Sequence, residues 1–207
     1  MTPWLRVARD EQKSWDHRIK LGAVRNPAHA EAEMSRDEEY FQAAPFYGGS
    51  VKPPGQIPNN AWRLDWCAAF ANYCLHLSGH SHTGNAGAHS FTNSSLWWFN
   101  ALPEPRSGCV VVVGSGNRGQ HVAFLWDCQH LPANPDGNVA ITGNRVLNLL
   151  GGNQSNRINI KRETRTMLAA RGRNGIRSPY LWPLRGPANC NHIPPSIAGH
   201  FCGNIHP

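Results

Sequence analysis

Toward the N-terminus the apolar positions of this chain recur every three or four residues, and from residue 109 onward they fall in short unbroken runs. The first habit predicts helices and the second predicts buried strands. Pro3 suits a first helical turn, and Trp4, Val7 and Ala8 follow at helical spacing, so a short helix is expected over residues 3 to 12. Residues 13 to 60 are less regular, with a second helix expected from Glu31 to Ala43 and a Gly/Pro-rich loop from Tyr47 to Pro58. In RLDWCAAFANYCLHLSG, Asp65 is placed to cap a helix. Cys67, Phe70, Cys74 and Leu77 then share one face at i, i+3, i+7 and i+10, and Gly79 ends it. Gly79 to Ser90 reads as loop, and Ser94 to Ala101 as a short helix anchored by Trp97 and Trp98.

Downstream the period changes. CVVVV and HVAFLWD, joined by the loop GSGNRGQ, predict two antiparallel strands. A Pro/Asn/Asp/Gly loop from Leu131 to Asn138 leads through VAIT to RVLNLLGGNQSN, another strand. INIKRETRTML supplies an edge strand before the aromatic segment PYLWP. Helices followed by an antiparallel sheet make an α+β pattern. The 207 residues fit one domain over residues 1 to 184, with a tail from 185 to 207.

Composition narrows the class. Hydrophobic residues make up 40% and charged residues 16%, with 20 Gly, 16 Pro and 8 Trp, which describes a folded, loop-rich protein. A net charge of +7 favours a polyanionic neighbour: nucleic acid, an anionic membrane or the acidic polymers of a bacterial wall. Charge alone does not choose among them. The cluster of Lys161, Arg162, Arg165, Arg171, Arg173 and Arg177 reads as a solvated basic face. No run of about 18 apolar residues offers a transmembrane segment. The opening MTPWLRVARDEQKSW lacks the apolar core of a signal peptide, so synthesis in the cytoplasm is expected and any outer target implies delivery by other machinery.

Six cysteines, at 67, 74, 109, 128, 190 and 202, sit in a chain with too much core to need a disulfide framework, so each is judged by its neighbourhood. Cys67 lies in the first turn of its helix, where partial positive charge favours a thiolate. Cys74, two turns deeper, is expected to be an inert core thiol. A cysteine nucleophile needs a base, and His121 opens a strand directly after a glycine-bearing loop. A third polar group should hold the imidazole by its far nitrogen. A hairpin centred near Asp136 and Gly137 would set residue 121 opposite residues 152 to 154, which favours Asn153, with Gln154 and Asp127 as alternatives.

DWCAAFANYCLHLSG, PEPRSGCVVVV, GQHVAFLWD, LNLLGGNQSN and SPYLWP, in that order, resemble the successive signatures of a bacterial and phage family related to the NlpC and CHAP peptidases. That pattern runs D-x-x-W-C-A-A-F-V-N, P-x-x-G-D-I-V-V-F, G-H-V-G-F, L-G-G-N-Q and a closing Tyr-x-x-Pro-like segment. PWLRVARDE also resembles its N-terminal helix, and the likeness covers most of residues 1 to 184. It implies a papain-like α+β fold with helices packed on an antiparallel sheet, Cys67 as nucleophile, His121 as base and Asn153 as third residue. The oxyanion would be met by the Cys67 backbone N–H and a neighbouring group, with Trp66, Asp65 and Gln154 as the positions for substrate or oxyanion contact. No cofactor is implied. Three departures stand out: Asp65 directly precedes Trp66 instead of being spaced from it, Cys109 replaces the aspartate after Gly108, and Gln120 separates the glycine from His121. The segment from Lys13 to Pro27 also enlarges the N-terminal region.

The resemblance implies a peptidoglycan hydrolase cleaving an amide bond in the stem peptide or cross-link, as an endopeptidase or an N-acetylmuramoyl-L-alanine amidase. It would act in the periplasm or wall of a target bacterium, as a phage lysin or as an effector of type VI secretion with a cognate immunity protein. The same dyad also serves deamidase or transglutaminase-like toxins acting on protein. A third reading is a non-catalytic basic binding module stabilised by zinc. Its ligands would be Cys190, His192, His200 and Cys202 of the tail, although Cys190 and Cys202 suit a disulfide equally well. His76, His80, His82 and His89 lack the glutamate of a zinc-protease helix and read as loop or surface histidines. No specific nucleic-acid partner is expected.

Overall fold

The computed structural model describes residues 1–20, 36–47, 50–51, 66–91, 99–102, 106–115, 118–130, 145–155, 157–163 and 176–183. Helix α1 spans Pro3–Lys20, eight residues beyond the expected end. The extension follows from Trp15, which continues the buried stripe of Trp4, Leu5, Ala8 and Gln12 by one more turn. Helix α2 spans Arg36–Gln42, and helix α3 spans Cys67–Leu77.

α3 is the centre of the helical layer. α1 and α2 pack on one side of it and the sheet on the other, so every residue from Cys67 to Leu75 is buried. This corrects the expected single apolar face. Leu77 is 57% exposed because the last turn projects past its neighbours. Gly79, at φ +69, ends the helix as its position predicts: His80 N–H donates to Leu75 O at 2.9 Å and Gly79 N–H to His76 O at 3.0 Å.

A two-stranded pairing of β1 (Phe46–Tyr47) with β2 (Ser50–Val51) precedes α3. After α3 come a short 3-10 turn at Ala88–Phe91 and six strands: β3 Phe99–Leu102, β4 Val110–Ser115, β5 Arg118–His130, β6 Arg145–Gly151, β7 Asn159–Glu163 and β8 Ile176–Pro183. They form one antiparallel sheet in the order β3-β8-β4-β5-β6-β7. The α+β class is therefore the observed one. Residues 99 to 101, expected to finish a helix, belong instead to strand β3. Its partner β8 holds the PYLWP segment between β3 and β4. Pro179 disguised that strand, since proline removes a ladder donor. It falls where the β4–β8 register shifts between Val110 and Val112, a place that tolerates the loss.

Both sheet faces are buried. Val110, Val112, Val122, Phe124 and Leu150 join the helices in one core, while Cys109, Val111, Val113, Ala123, Leu125, Leu147 and Leu149 form a second on the opposite face. That explains the unbroken CVVVV run, because a strand covered on both sides has no polar alternation to show. Among the described residues no helix is long and apolar enough to cross a membrane. The VAIT segment, Trp97 and Trp98, and the whole tail from 185 lie outside the described residues.

Candidate functional site

Cys67 is the first residue of α3 and is 1% exposed. Trp66, rather than the expected Asp65, takes the N-cap position, with φ −86 and ψ 9 and no side-chain cap hydrogen bond. Asp65 itself lies outside the described residues. The N–H groups of a helix's first turn carry partial positive charge that favours an anion such as a thiolate. Trp66 fixes this helix start by packing. It is 1% exposed and stacks on Trp15, at 5.9 Å, and on Tyr40, at 6.0 Å, within the core.

His121 is 7% exposed and stands fourth in β5, not first, because the strand already begins at Arg118. It pairs with Val113, whereas Gly114 pairs with Gly119, so Gln120 is an extra residue on β5. The residue that separates glycine from histidine in the sequence is thus absorbed as a bulge immediately before the imidazole. A bulge re-aims the next side chain and frees it from strict strand alternation.

A second bulge interrupts the β5–β6 pairing: Asp127 pairs with Asn148 and Leu125 with Leu149, so Trp126 is an extra residue on β5. The ladder ends at Phe124↔Leu150, three residues from His121 on β5, and Asn153 lies two residues beyond the end of β6. Asp127 lies six residues further along the same strand, about 20 Å away at strand rise, which removes it from consideration. Asn153 follows the end of β6 with φ 54, a left-handed conformation that asparagine tolerates better than most residues.

Gly152 joins this strand end to the helix. A Cβ there would lie 2.5 Å from Cζ3 of Trp66 and 2.7 Å from Cβ of Phe70, so only glycine lets the two approach. Gly151 similarly faces Ala123, whose Cβ would lie 2.9 Å away. The first turn of α3, the start of β5 and the segment after β6 therefore meet at one corner of the molecule. Gly152 and the two bulges escaped the sequence reading; the paired glycines of LGGNQ were the available signal for a close approach.

Gln154 is 3% exposed and its Nε2 is directed at three backbone carbonyls. Its side-chain amide nitrogen is thus engaged inside the turn. Asn72, the last residue of CAAFAN, also went unnoticed. Fully buried, its Oδ1 accepts from Thr83 N–H at 2.7 Å and Gly84 N–H at 3.0 Å, and its Nδ2 donates to Asn85 O at 3.0 Å. It ties the loop after α3 back to the helix.

The other titratable groups behave differently. Burial pushes the Cys74 thiol well above its ordinary value, and the nearby Glu11 carboxylate adds to the effect. His76 and His82 meet edge to face with ring centroids 5.2 Å apart. Burial holds His82 down at about 3, with His76 contributing, and burial also lowers His76. His80 bonds Ser78 O through Nδ1 at 2.7 Å and packs its ring 4.5 Å from that of Trp4. Among the described residues no three His, Cys, Asp or Glu side chains gather as metal ligands. Cys190, His192, His200 and Cys202 lie outside those residues.

Fold and corner together define an α+β protein with a cysteine-headed helix laid against an antiparallel sheet. Comparison with protein-family models, with curated proteins and with solved structures finds no match for this chain.

Proposed function

We propose that this protein is a cysteine-dependent peptidoglycan hydrolase of papain-like architecture, of the NlpC and CHAP kind. The observation that supports the reading is the corner itself: β5, which carries His121, pairs with β6, which ends two residues before Asn153, and Gly152 packs against Trp66 and Phe70 at the start of the Cys67 helix. Those are the three residue types that acyl transfer by a thiol requires, and they come from three separate elements.

In this mechanism His121 takes the Cys67 proton and the thiolate attacks the carbonyl carbon of an amide. The Cys67 N–H, at the helix start, stabilises the oxyanion. His121, held by Asn153, returns the proton to the leaving amine, and water then releases the acyl group. The substrate is an amide bond of the peptidoglycan stem peptide or cross-link, or the bond between muramic acid and its first alanine. A net charge of +7 suits an acidic wall polymer. The setting is the periplasm or wall of a target bacterium, reached as an effector or a lysin, and an immunity protein of the effector case would plug the Cys67 corner.

The test is solubilisation of purified sacculi. Wild-type protein should release soluble fragments with newly exposed amines, and Cys67→Ala should release none. Retained activity in Cys67→Ala would end this reading.

A further inference from the structure

The turn that carries Asn153 is organised around Gln154. Gln154 Nε2 donates to Leu149 O at 2.9 Å, Gly151 O at 3.3 Å and Asn159 O at 2.8 Å. Its backbone N–H donates to Arg157 O at 3.0 Å, and its carbonyl accepts from Asn159 Nδ2 at 3.0 Å. Two amide hydrogens serve three carbonyls, so at least one is shared. This single side chain ties the end of β6 to the start of β7.

The residues on either side of it are both left-handed, Asn153 at φ 54 and Ser155 at φ 61. For residues other than glycine that conformation costs roughly 1 kcal/mol each, and it persists only where surrounding bonds enforce it. Gln154 supplies such bonds: its amide and backbone tie the end of β6 to Arg157 and Asn159 across the turn. The direction of the Asn153 side chain follows from its φ, so whatever holds the turn also aims that side chain.

We infer that Gln154 is a positioning residue for the reaction, holding Asn153 in the left-handed conformation from which its side chain meets His121. The inference rests on the proposed Cys67, His121 and Asn153 site. It assigns Gln154 no contact with substrate.

A double-mutant cycle on the full chain separates positioning from simple stabilisation. Gln154→Met keeps the shape and removes the donors, while Asn153→Gly keeps the left-handed backbone and removes the side chain. Initial rates on purified sacculi are read at saturating and at limiting substrate, alongside thermal unfolding. Gln154→Met should lower the saturating rate about 10- to 100-fold, with the half-saturating sacculus concentration within about 2-fold of wild type. In the Asn153→Gly background the same substitution should lower stability again but leave the already reduced rate unchanged. An equal rate loss in both backgrounds, or none in either, overturns the inference. Should Gln154→Met fail to fold, Asn159→Asp goes through the same cycle, since it removes one bond to the Gln154 carbonyl. It should give a smaller loss of the same kind, and additivity there overturns the inference equally. Full activity in Cys67→Ala would remove the reaction itself. An inactive Cys67→Ala with an additive cycle removes only the role of Gln154.

Discussion

The two ends of α3 both carry titratable side chains, and the fold treats them in opposite ways. At the N-terminal end Cys67 begins the first helical turn, close to the segment held by Gly152. At the C-terminal end His76 lies in the last turn and His82 returns to pack edge to face with it. A helix C-terminus stabilises a cation by about 0.3 to 1 kcal/mol, yet burial lowers His76 in the last turn and holds His82 down at about 3. Burial outweighs the dipole, so the histidine end is kept neutral and acts as packing. The lesson is that a histidine near a helix is read by its burial before its position.

The largest expected effect separates the two thiols of the same helix. Cys67→Ser should lower sacculus hydrolysis about ten-thousand-fold, at a stability cost of about 1 to 3 kcal/mol because the thiol is 1% exposed and belongs to the same core as Cys74. Cys74→Ser should carry a similar stability cost without the loss of rate, because a hydroxyl is placed where the thiol is fully buried. Urea unfolding and initial rates on both variants check the pair, and loss of activity in the folded Cys74→Ser protein would erase the contrast between the two positions.

The next effect tests the neutral end. With His82 at about 3 in the folded protein and near 6.5 in the unfolded chain, only the unfolded chain takes up that proton between the two values. The stabilisation is complete above pH 6.5 and is lost as pH falls toward 3. His76 is lowered too, so it contributes in the same direction. Between pH 6.5 and 4.5 the His82 contribution amounts to about 2 kcal/mol. His82→Gln should flatten the fall in unfolding free energy over that interval by about this amount. An unchanged slope would mean that the ring is protonated in the folded state.

How much of this was legible beforehand depends on the kind of information. Element types followed from period: the Cys67 helix, its end at Gly79 and the Val-rich β4 all lie where their patterns predict. The residue across from His121 was visible in the sequence only as a range of three, because a hairpin centre fixes pairing approximately and the bulge at Trp126 shifts the β5–β6 register by one residue. Bulges leave little trace in hydrophobic pattern. The β8 strand stayed hidden behind Pro179, and the roles of Trp66 and Gln154 depended on neighbours distant in sequence: Trp15 and Tyr40 for the first, Leu149 and Asn159 for the second. Local chemistry announces which residues can act, whereas the residues that hold them become visible only through contacts between elements.

The smallest effect sharpens the histidine end further. Trp4 packs against His80 just past α3 and donates from Nε1 to Gly108 O at 2.6 Å, linking α1, the end of α3 and the start of β4. Gly108 sits at φ +93, and a Cβ there would lie 2.6 Å from Thr2 Oγ1, so this junction has no slack. Trp4→Phe keeps an aromatic ring beside His80 but leaves a buried carbonyl without its donor, which costs about 1 to 2 kcal/mol. For a chain of 207 residues that is a fall of roughly 2 to 8 °C in Tm, read by thermal unfolding. Activity per folded molecule should stay at the wild-type level, because the junction lies at the opposite end of α3 from Cys67. A selective fall in rate without a fall in Tm would show instead that the two ends of the helix are coupled, and that the neutral histidine end does more than pack.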